Sequence, residues 1–138
     1  MNLAATRSLV SETLQRMAAL YSEPVFDEWV VVSFQEGHGA ILAYAGPRTE
    51  SYRKQFAADV VPLRQEMEGK NLAAGDFLFA PEAAGTHFDA CVRLGPASYL
   101  ICNHTSRSMA EIRRSPHWLR AQKPFVEMGE KFRADPLA

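Results

Sequence analysis

The fold is decided by residues 28–46, EWVVVSFQEGHGAILAYAG, which read as two strands joined by a tight turn. Residues 29–34 are mostly aromatic or β-branched, and such residues favour strands. This first strand is apolar on both alternating faces, so we expect it in the centre of a sheet that is covered above and below. Gly37 and Gly39 supply the reversal, and residues 40–44 form the second strand of the hairpin.

A helix is predicted on each side of this hairpin. Residues 3–21 form the first, and its apolar stripe consists of Leu3, Val10, Leu14, Met17 and Tyr21. Residues 50–68 form the second, and its stripe consists of Tyr52, Phe56, Val60, Leu63 and Met67. Gly69 is placed to end the second helix, and Pro62 predicts a kink near residues 58–62.

Three further strands are predicted over residues 76–80, 86–94 and 98–102. The middle one alternates between a dry face and a wetter face. The dry face holds Phe88, Ala90, Val92 and Leu94, and the wetter face holds His87, Asp89, Cys91 and Arg93. Residues 98–102 are apolar on both faces, so this strand should pair centrally with residues 29–34.

The C-terminal region is predicted to be helical with one break. Ser108 and Glu111 fit a capping box at the start of a short helix, and the break falls near Arg114. Ser115 and Pro116 are suited to start a longer helix. Its inward residues are predicted to be Leu119, Phe125, Val126, Met128 and Phe132.

Length and composition predict a single domain over residues 1–138. The chain has 138 residues and is 47% hydrophobic and 22% charged, which is typical of a globular protein. Nowhere do eighteen apolar residues run together, so we expect no membrane span and a cytoplasmic location. Cys91 and Cys102 lie in predicted strands without a CxxC spacing and are interpreted as buried small hydrophobes.

Nucleic-acid binding is disfavoured by the charge, although the last helical region is locally basic. The net charge of −1 gives no overall attraction for a polyanion. The local cations are Arg107, Arg113, Arg114, Arg120 and Lys123, and Trp118 beside them could stack on a base. A solvated helix face, or a contact with an acidic protein surface, explains these cations better than nucleic acid does.

The order of elements resembles the Roadblock/dynein-light-chain family, which has a profilin-like fold. The hairpin formed by EWVVV at residues 28–32 and GAILAYAG at residues 39–46 is similar to the opening hairpin of that family. The resemblance covers almost the whole chain, and the segment after His104, with Pro116 and Pro124, departs from the simpler last helix of the family. Longin domains, which are related profilin-like folds, share the same order with different functions.

The resemblance implies an α/β (α+β) three-layer sandwich. Its five-stranded antiparallel sheet should have the order 2-1-5-4-3, with helix 2 on one face and the terminal helices on the other. It also implies a homodimer that works with a Ras-like small GTPase. We therefore expect a non-enzymatic adaptor or regulatory module with no catalytic residue, cofactor or metal, and no nucleic-acid or membrane partner.

The dimer interface is predicted at the edge of the sheet. In the implied order, strand 76–80 lies at an edge, and an uncovered apolar edge favours pairing with another strand. The predicted interface residues are Phe77, Leu78 and Phe79 on the strand and Ala57, Val61 and Arg64 on helix 2. The alternative is a monomer in which residues 70–75 or the C-terminal helix cover this edge.

A small-ligand or metal-sensing domain is the competing hypothesis. If Gly95 and Pro96 form a two-residue turn, His104 falls opposite His87 and Cys102 opposite Asp89. Imidazole, carboxylate and thiolate groups could together hold zinc or iron. A shift of one residue in the turn would move Cys102 and His104 to the other face.

A nucleophilic Cys–His pair drawn from the same residues is a further alternative. Such a pair requires a thiol of low pKa beside a base.

Overall fold

The structure, a computed structural model, describes residues 1–21, 25–35, 38–47, 65–79, 88–104 and 109–137. Within these ranges the elements follow in the order predicted. They are α1 (Leu3–Tyr21), β1 (Glu28–Gln35), β2 (His38–Ala45), α2 (the helical residues 65–70), β3 (Phe77–Phe79), β4 (Ala90–Arg93), β5 (Ser98–Asn103), α3 (Met109–Arg113) and α4 (Trp118–Ala134).

The five strands form one antiparallel sheet with the order β2-β1-β5-β4-β3. This is the predicted α/β sandwich. The α1 and α4 helices pack together against one side of the sheet, which we call the α1–α4 face. Met67 of α2 and Leu72 pack against the other side, which we call the α2 face.

The two central strands are buried, as their apolar runs predict. Val30, Val31 and Val32 of β1 are at most 1% exposed, and all six residues of β5 are buried. Val31 belongs to the core of the α1–α4 face, and its two neighbours belong to the core of the α2 face. A strand whose side chains enter two cores cannot alternate with polar residues, and this explains the continuous apolar sequence.

The first helix has the predicted bounds and the predicted stripe. Val10 and Met17 are fully buried in the core, and the other three stripe residues are partly buried against it. Thr6 and Thr13, which the stripe did not include, are also buried. Their hydroxyls donate to the backbone carbonyl oxygens of Asn2 and Leu9, so burial leaves no unpaired donor.

Some element ends differ from the prediction. The second helix continues past Gly69 to residue 70, and Asn71 takes the left-handed position at φ 56° that ends it. Of the strand predicted over residues 86–94, the described part begins at Phe88, and its regular ladder with β5 covers Ala90–Arg93. The predicted kink at Pro62 and the predicted cap at Ser108 lie outside the described residues.

Two residues of α4 predicted to point inward point outward. Leu119 is 82% exposed and Val126 is 38% exposed, whereas Phe125, Met128 and Phe132 are buried as predicted. The helix starts at Trp118 with His117 as its N-cap, not at Ser115. Residues seven apart share a stripe, so Leu119 and Val126 fall together on the outer surface. The buried stripe is completed by Trp118, Ala121 and Pro124.

Two glycines allow α4 to approach the start of β3. Gly75 has φ +88°, which favours glycine. A Cβ atom at Gly129 would lie 2.5 Å from the carbonyl oxygen of Gly75. Backbone contacts backbone here, and this seats Phe125 of α4 against the edge of the sheet.

Candidate functional site

The predicted interface strand lies at an edge of the sheet. β3 is at the end of the strand order, and within the described ranges it pairs only with β4. Its register joins Phe77 to Val92, Leu78 to Cys91 and Phe79 to Ala90. β3 therefore has one paired edge and one outer edge.

The two phenylalanines of β3 turn their rings inward. The Phe77 and Phe79 rings lie 5.6 Å and 5.2 Å from the Phe125 ring, and the Phe79 ring lies 4.9 Å from the Trp118 ring. Phe125 and Trp118 belong to the core of the α1–α4 face, and the two partly buried β3 rings pack against it. The side chain of Leu78 is on the α2 face. The other three predicted interface residues, Ala57, Val61 and Arg64, lie outside the described residues.

The backbone of β3 alternates between the paired edge and the outer edge. Arg93 of β4 accepts a hydrogen bond from Gly75 N–H and donates one to the Asp76 carbonyl. Since alternate residues of an antiparallel strand face the same partner, Cys91 is the next β4 residue whose backbone faces β3, and it pairs with Leu78. The Leu78 N–H is thus directed at β4, and those of Phe77 and Phe79 are directed at the outer edge.

The pairing of Cys102 with Asp89, on which the predicted sensing face depends, does not form, because the turn between β4 and β5 is not the two-residue turn that this pairing requires. Cys102 lies opposite Ala90, so the β4–β5 register is shifted by one residue from the predicted pairing with Asp89. Cys91 and Cys102 consequently enter different cores. The Asp89 carboxylate accepts a hydrogen bond of 2.7 Å from the backbone N–H of His104. His87 lies outside the described residues, and the described ones contain no cluster of metal-ligating side chains.

Neither thiol is suited to act as a nucleophile. Cys91 and Cys102 are fully buried, and burial raises the pKa of both thiols above the usual value. Nearby negative charge adds to the effect, from Glu66 on Cys91 and from Asp89 on Cys102. The wetter face predicted for Cys91 is therefore wrong, because its Sγ lies 3.1 Å from Met67 Sδ under α2.

A buried polar group at one end of the α2 face was missed by the sequence reasoning. Glu28 is 0% exposed, and its two carboxylate oxygens accept hydrogen bonds from Tyr44 Oη at 2.8 Å and Asn103 Nδ2 at 3.2 Å. Glu28 pairs with Asn103 across β1 and β5. The only signal was a charged residue directly before an apolar strand, which is ordinarily interpreted as a solvated strand end.

Arg93 closes the opposite end of the α2 face. Its guanidinium nitrogens Nε, Nη1 and Nη2 donate to the backbone carbonyls of Gly95, Leu72 and Pro96, respectively. The guanidinium carbon lies 5.8 Å from the centre of the Tyr99 ring. A cleft of about 250 Å³ lies beside it. Because the donors of Arg93 are engaged by carbonyls, this cation holds the loops together and its interactions are structural.

The α1–α4 face carries a basic groove on its outer side. The groove has a volume of about 480 Å³ and is lined by Arg16, Ala19, Leu20, Arg120, Lys123 and Pro124. Arg16 forms a 2.9 Å ion pair with Glu127. The sequence identified Arg120 and Lys123 as part of a basic region, but it did not place them beside α1.

The chain matches no protein-family model, no curated protein and no solved structure. Across the described ranges, none of the helices combines the length and the apolar character that crossing a bilayer demands.

Trp118, considered above as a base-stacking residue, is buried against Phe79.

Proposed function

We propose that this protein is a non-enzymatic, homodimeric adaptor that presents a composite surface to a Ras-like small GTPase. The support comes from two sources. One is the resemblance to the Roadblock/dynein-light-chain family. The other is the strand order β2-β1-β5-β4-β3, which leaves β3 at the end of the sheet.

The observation that carries the dimer is the outer edge of β3. The backbone groups of Phe77 and Phe79 are directed away from β4, and their rings are anchored in the core by Phe125 and Trp118. A strand held in this way is a rigid template for another strand. A second copy related by a two-fold axis is the partner that completes such an edge with identical chemistry on both sides.

The geometry of this seam follows from the alternation along β3. If the axis passes through Leu78, Phe77 of one copy lies opposite Phe79 of the other, and their backbones exchange hydrogen bonds. Leu78 then faces its counterpart as a non-hydrogen-bonded pair, in which Cα atoms are about 4.5 Å apart. Disulfides need a Cα separation of about 4.4 to 6.8 Å.

Cysteine cross-linking tests this seam. We expect Leu78→Cys to form an intermolecular disulfide under mild oxidation, and light scattering of the wild-type protein to give twice the chain mass of 15.4 kDa. The native thiols should not interfere, because both are buried and protonated. The matched control is Leu119→Cys, which places a thiol at a highly exposed site on α4 and should cross-link only slowly, by collision.

Two results would contradict the proposed dimer. A monomeric mass across the accessible concentration range would exclude it. Equal cross-linking of the two variants in a dimeric protein would place the interface elsewhere. Replacing Leu78 with proline is a poor test, since the Leu78 N–H is directed at β4 and its loss would disturb the fold itself.

The GTPase partner requires a separate test. Purified wild-type protein would be immobilised and exposed to purified Ras-like GTPases loaded with GDP or with a non-hydrolysable GTP analogue. We expect saturable binding that depends on the nucleotide, and we expect it to be lost in a dissociated variant such as Leu78→Lys. Binding to neither loaded form would remove the GTPase from the proposal and leave the dimer untouched.

Ligand or metal sensing at His87, Asp89 and His104 is less well supported. The observed register separates the two cysteines, and Asp89 already accepts a backbone hydrogen bond from His104. Native mass spectrometry of the purified protein would test this alternative directly. A metal or organic molecule retained in stoichiometric amount would favour sensing over the adaptor.

A further inference from the structure

The basic groove lies between two antiparallel helices on the outer side of the α1–α4 face. The C-terminal half of α1 contributes Arg16, Ala19 and Leu20, and the N-terminal half of α4 contributes Arg120, Lys123 and Pro124. Both walls belong to a single chain. The groove therefore exists whether or not the protein dimerises through β3.

The charges of the groove are only partly neutralised. Arg16 is paired with Glu127, whereas Arg120 and Lys123 form no ion pair with any residue in the described part of the chain. Both are exposed. The groove therefore presents excess positive charge to solvent, and it would attract a negatively charged group.

The position of Arg120 on α4 works against the stability of the helix. The first turn of α4 contains no acidic residue, and it contains Arg120. Positive charge near the N-terminus of a helix is unfavourable, because the unpaired N–H groups there already carry partial positive charge. A bound carboxylate would relieve this repulsion.

The groove lining also includes apolar side chains. Leu20 and Pro124 line it beside the cations, and Leu119, which directly precedes Arg120, is 82% exposed. Apolar side chains beside exposed cations fit a ligand that carries both acidic and apolar side chains.

We propose that this groove binds an acidic amphipathic segment of a partner protein. Its carboxylates contact Arg120 and Lys123, and one of its apolar side chains packs on Leu20 and Pro124. Charge complementarity is the basis of the assignment. Nucleic acid fits less well, because the described residues that line the groove include no aromatic side chain for stacking, and the Trp118 ring is buried against Phe79.

The experiment uses two synthetic peptides of identical length and helical pattern. In one, leucines form one face of the helix and glutamates form the other. In the second peptide, every glutamate is replaced by glutamine. Binding of the fluorescein-labelled peptides to the full-length protein is followed by fluorescence anisotropy. We expect the glutamate peptide to bind saturably and the glutamine peptide not to bind. Added salt should weaken the binding of the glutamate peptide.

Charge reversal then identifies the groove. Combining Arg120→Glu with Lys123→Glu should weaken binding of the glutamate peptide by about tenfold or more. Lys131→Glu is the matched control, since it makes the same charge change on an exposed residue in the last turn of the same helix and should leave binding unchanged. Circular dichroism should show that all variants remain folded.

Several results would overturn the proposal. They are absence of saturable binding at millimolar peptide, equal binding of the glutamine peptide, and equal loss of binding in Lys131→Glu. Co-sedimentation with phosphatidylserine vesicles that is abolished by Leu119→Ser would assign the surface to a membrane instead. None of these results depends on the oligomeric state, so the β3 dimer can succeed or fail separately.

Discussion

The two faces of the sheet are closed by different physical means. The described part of the α1–α4 face is closed by apolar packing, with an aromatic cluster of Phe77, Phe79, Trp118 and Phe125 at the β3 edge. Among the described residues, the α2 face combines apolar side chains such as Val30, Ile101 and Met67 with polar groups at both ends. Glu28 is buried at one end, and Arg93 binds three backbone carbonyls at the other.

This difference indicates how specificity is divided in the molecule. Apolar packing stabilises any arrangement of side chains that fills the available volume. A buried carboxylate is stabilised only when its hydrogen-bond donors are placed correctly. The α2 face fixes the register of β1, β2 and β5 at the end where Glu28, Tyr44 and Asn103 meet.

The largest effect is expected from Phe125→Ala on the α1–α4 face. Phe125 is fully buried and contacts both β3 rings, so its loss leaves a large cavity and should lower the free energy of unfolding by about 3 to 5 kcal/mol. Leu119→Ala, at an exposed site on the same helix, should change it by less than about 0.5 kcal/mol. Urea denaturation measures both, and similar losses would show that α4 is docked in a different rotation.

The second largest effect is expected from Gly129→Ala. Alanine normally favours a helix over glycine, but here its Cβ would lie 2.5 Å from a backbone oxygen and would push α4 away from β3. We expect a loss of about 3 kcal/mol, at the upper end of overpacking costs. Gly69→Ala is the control, because its Cβ position has no atom of a more distant described residue within 4 Å, and it should stabilise the protein by up to about 1 kcal/mol. Destabilisation of the same size by both changes would contradict the close approach.

The main features of the fold could be predicted because they depend on local apolar patterns. Residues 29–34 and 98–102 are apolar on both faces, and this placed β1 and β5 in the centre of the sheet. The stripe from Leu3 to Tyr21 gave α1 its bounds. The strand order came from the family resemblance.

The errors have a common physical cause. Register and helix rotation depend on contacts between distant segments. One extra residue in the turn after Leu94 moved Cys102 to the other face. The rotation of α4 that buries Trp118, Ala121 and Phe125 leaves Leu119 on the outer side. The polar group around Glu28 joins residues that are 16 and 75 positions apart, so no local pattern could reveal it.

An intermediate effect is expected from Tyr44→Phe on the α2 face. The change removes a hydroxyl that donates to the buried Glu28 carboxylate, and hydrogen bonds to charged groups contribute about 1.5 to 3 kcal/mol. We expect a loss of about 2 kcal/mol in urea denaturation. Tyr21→Phe is the matched change on the other face, where the hydroxyl donates to the uncharged carbonyl of Ile112, and should cost about 1 kcal/mol. Equal losses in the free energy of unfolding for Tyr44→Phe and Tyr21→Phe would mean that a hydrogen bond to the Glu28 carboxylate stabilises the protein no more than one to a backbone carbonyl.

A smaller effect is expected from alkaline pH, through the thiols. Burial raises the pKa of Cys91 in the folded state, whereas the unfolded chain releases its thiol proton near pH 8.5. Below that pH both states hold the proton. Above it the unfolded state holds fewer protons, so stability should fall by about 1.4 kcal/mol per pH unit for each buried thiol. The slope of stability against pH above 8.5 should be shallower in Cys91→Ala by that amount, and an unchanged slope would mean that this thiol ionises in the folded protein.

The smallest effect is expected from reversing a charge on the outer surface of the α1–α4 face. Arg120→Glu replaces a cation with an anion in the first turn of α4, where negative charge interacts favourably with the helix dipole, and should raise the free energy of unfolding by about 0.3 to 1 kcal/mol. Lys131→Glu makes the same exchange in the last turn and should lower it by a similar amount. Thermal melts at low salt measure both, and the two shifts should shrink together as salt is added. If Arg120→Glu instead destabilised the protein, the Arg120 side chain would be making stabilising interactions within the fold. A binding partner would then not be required to account for a cation at this position.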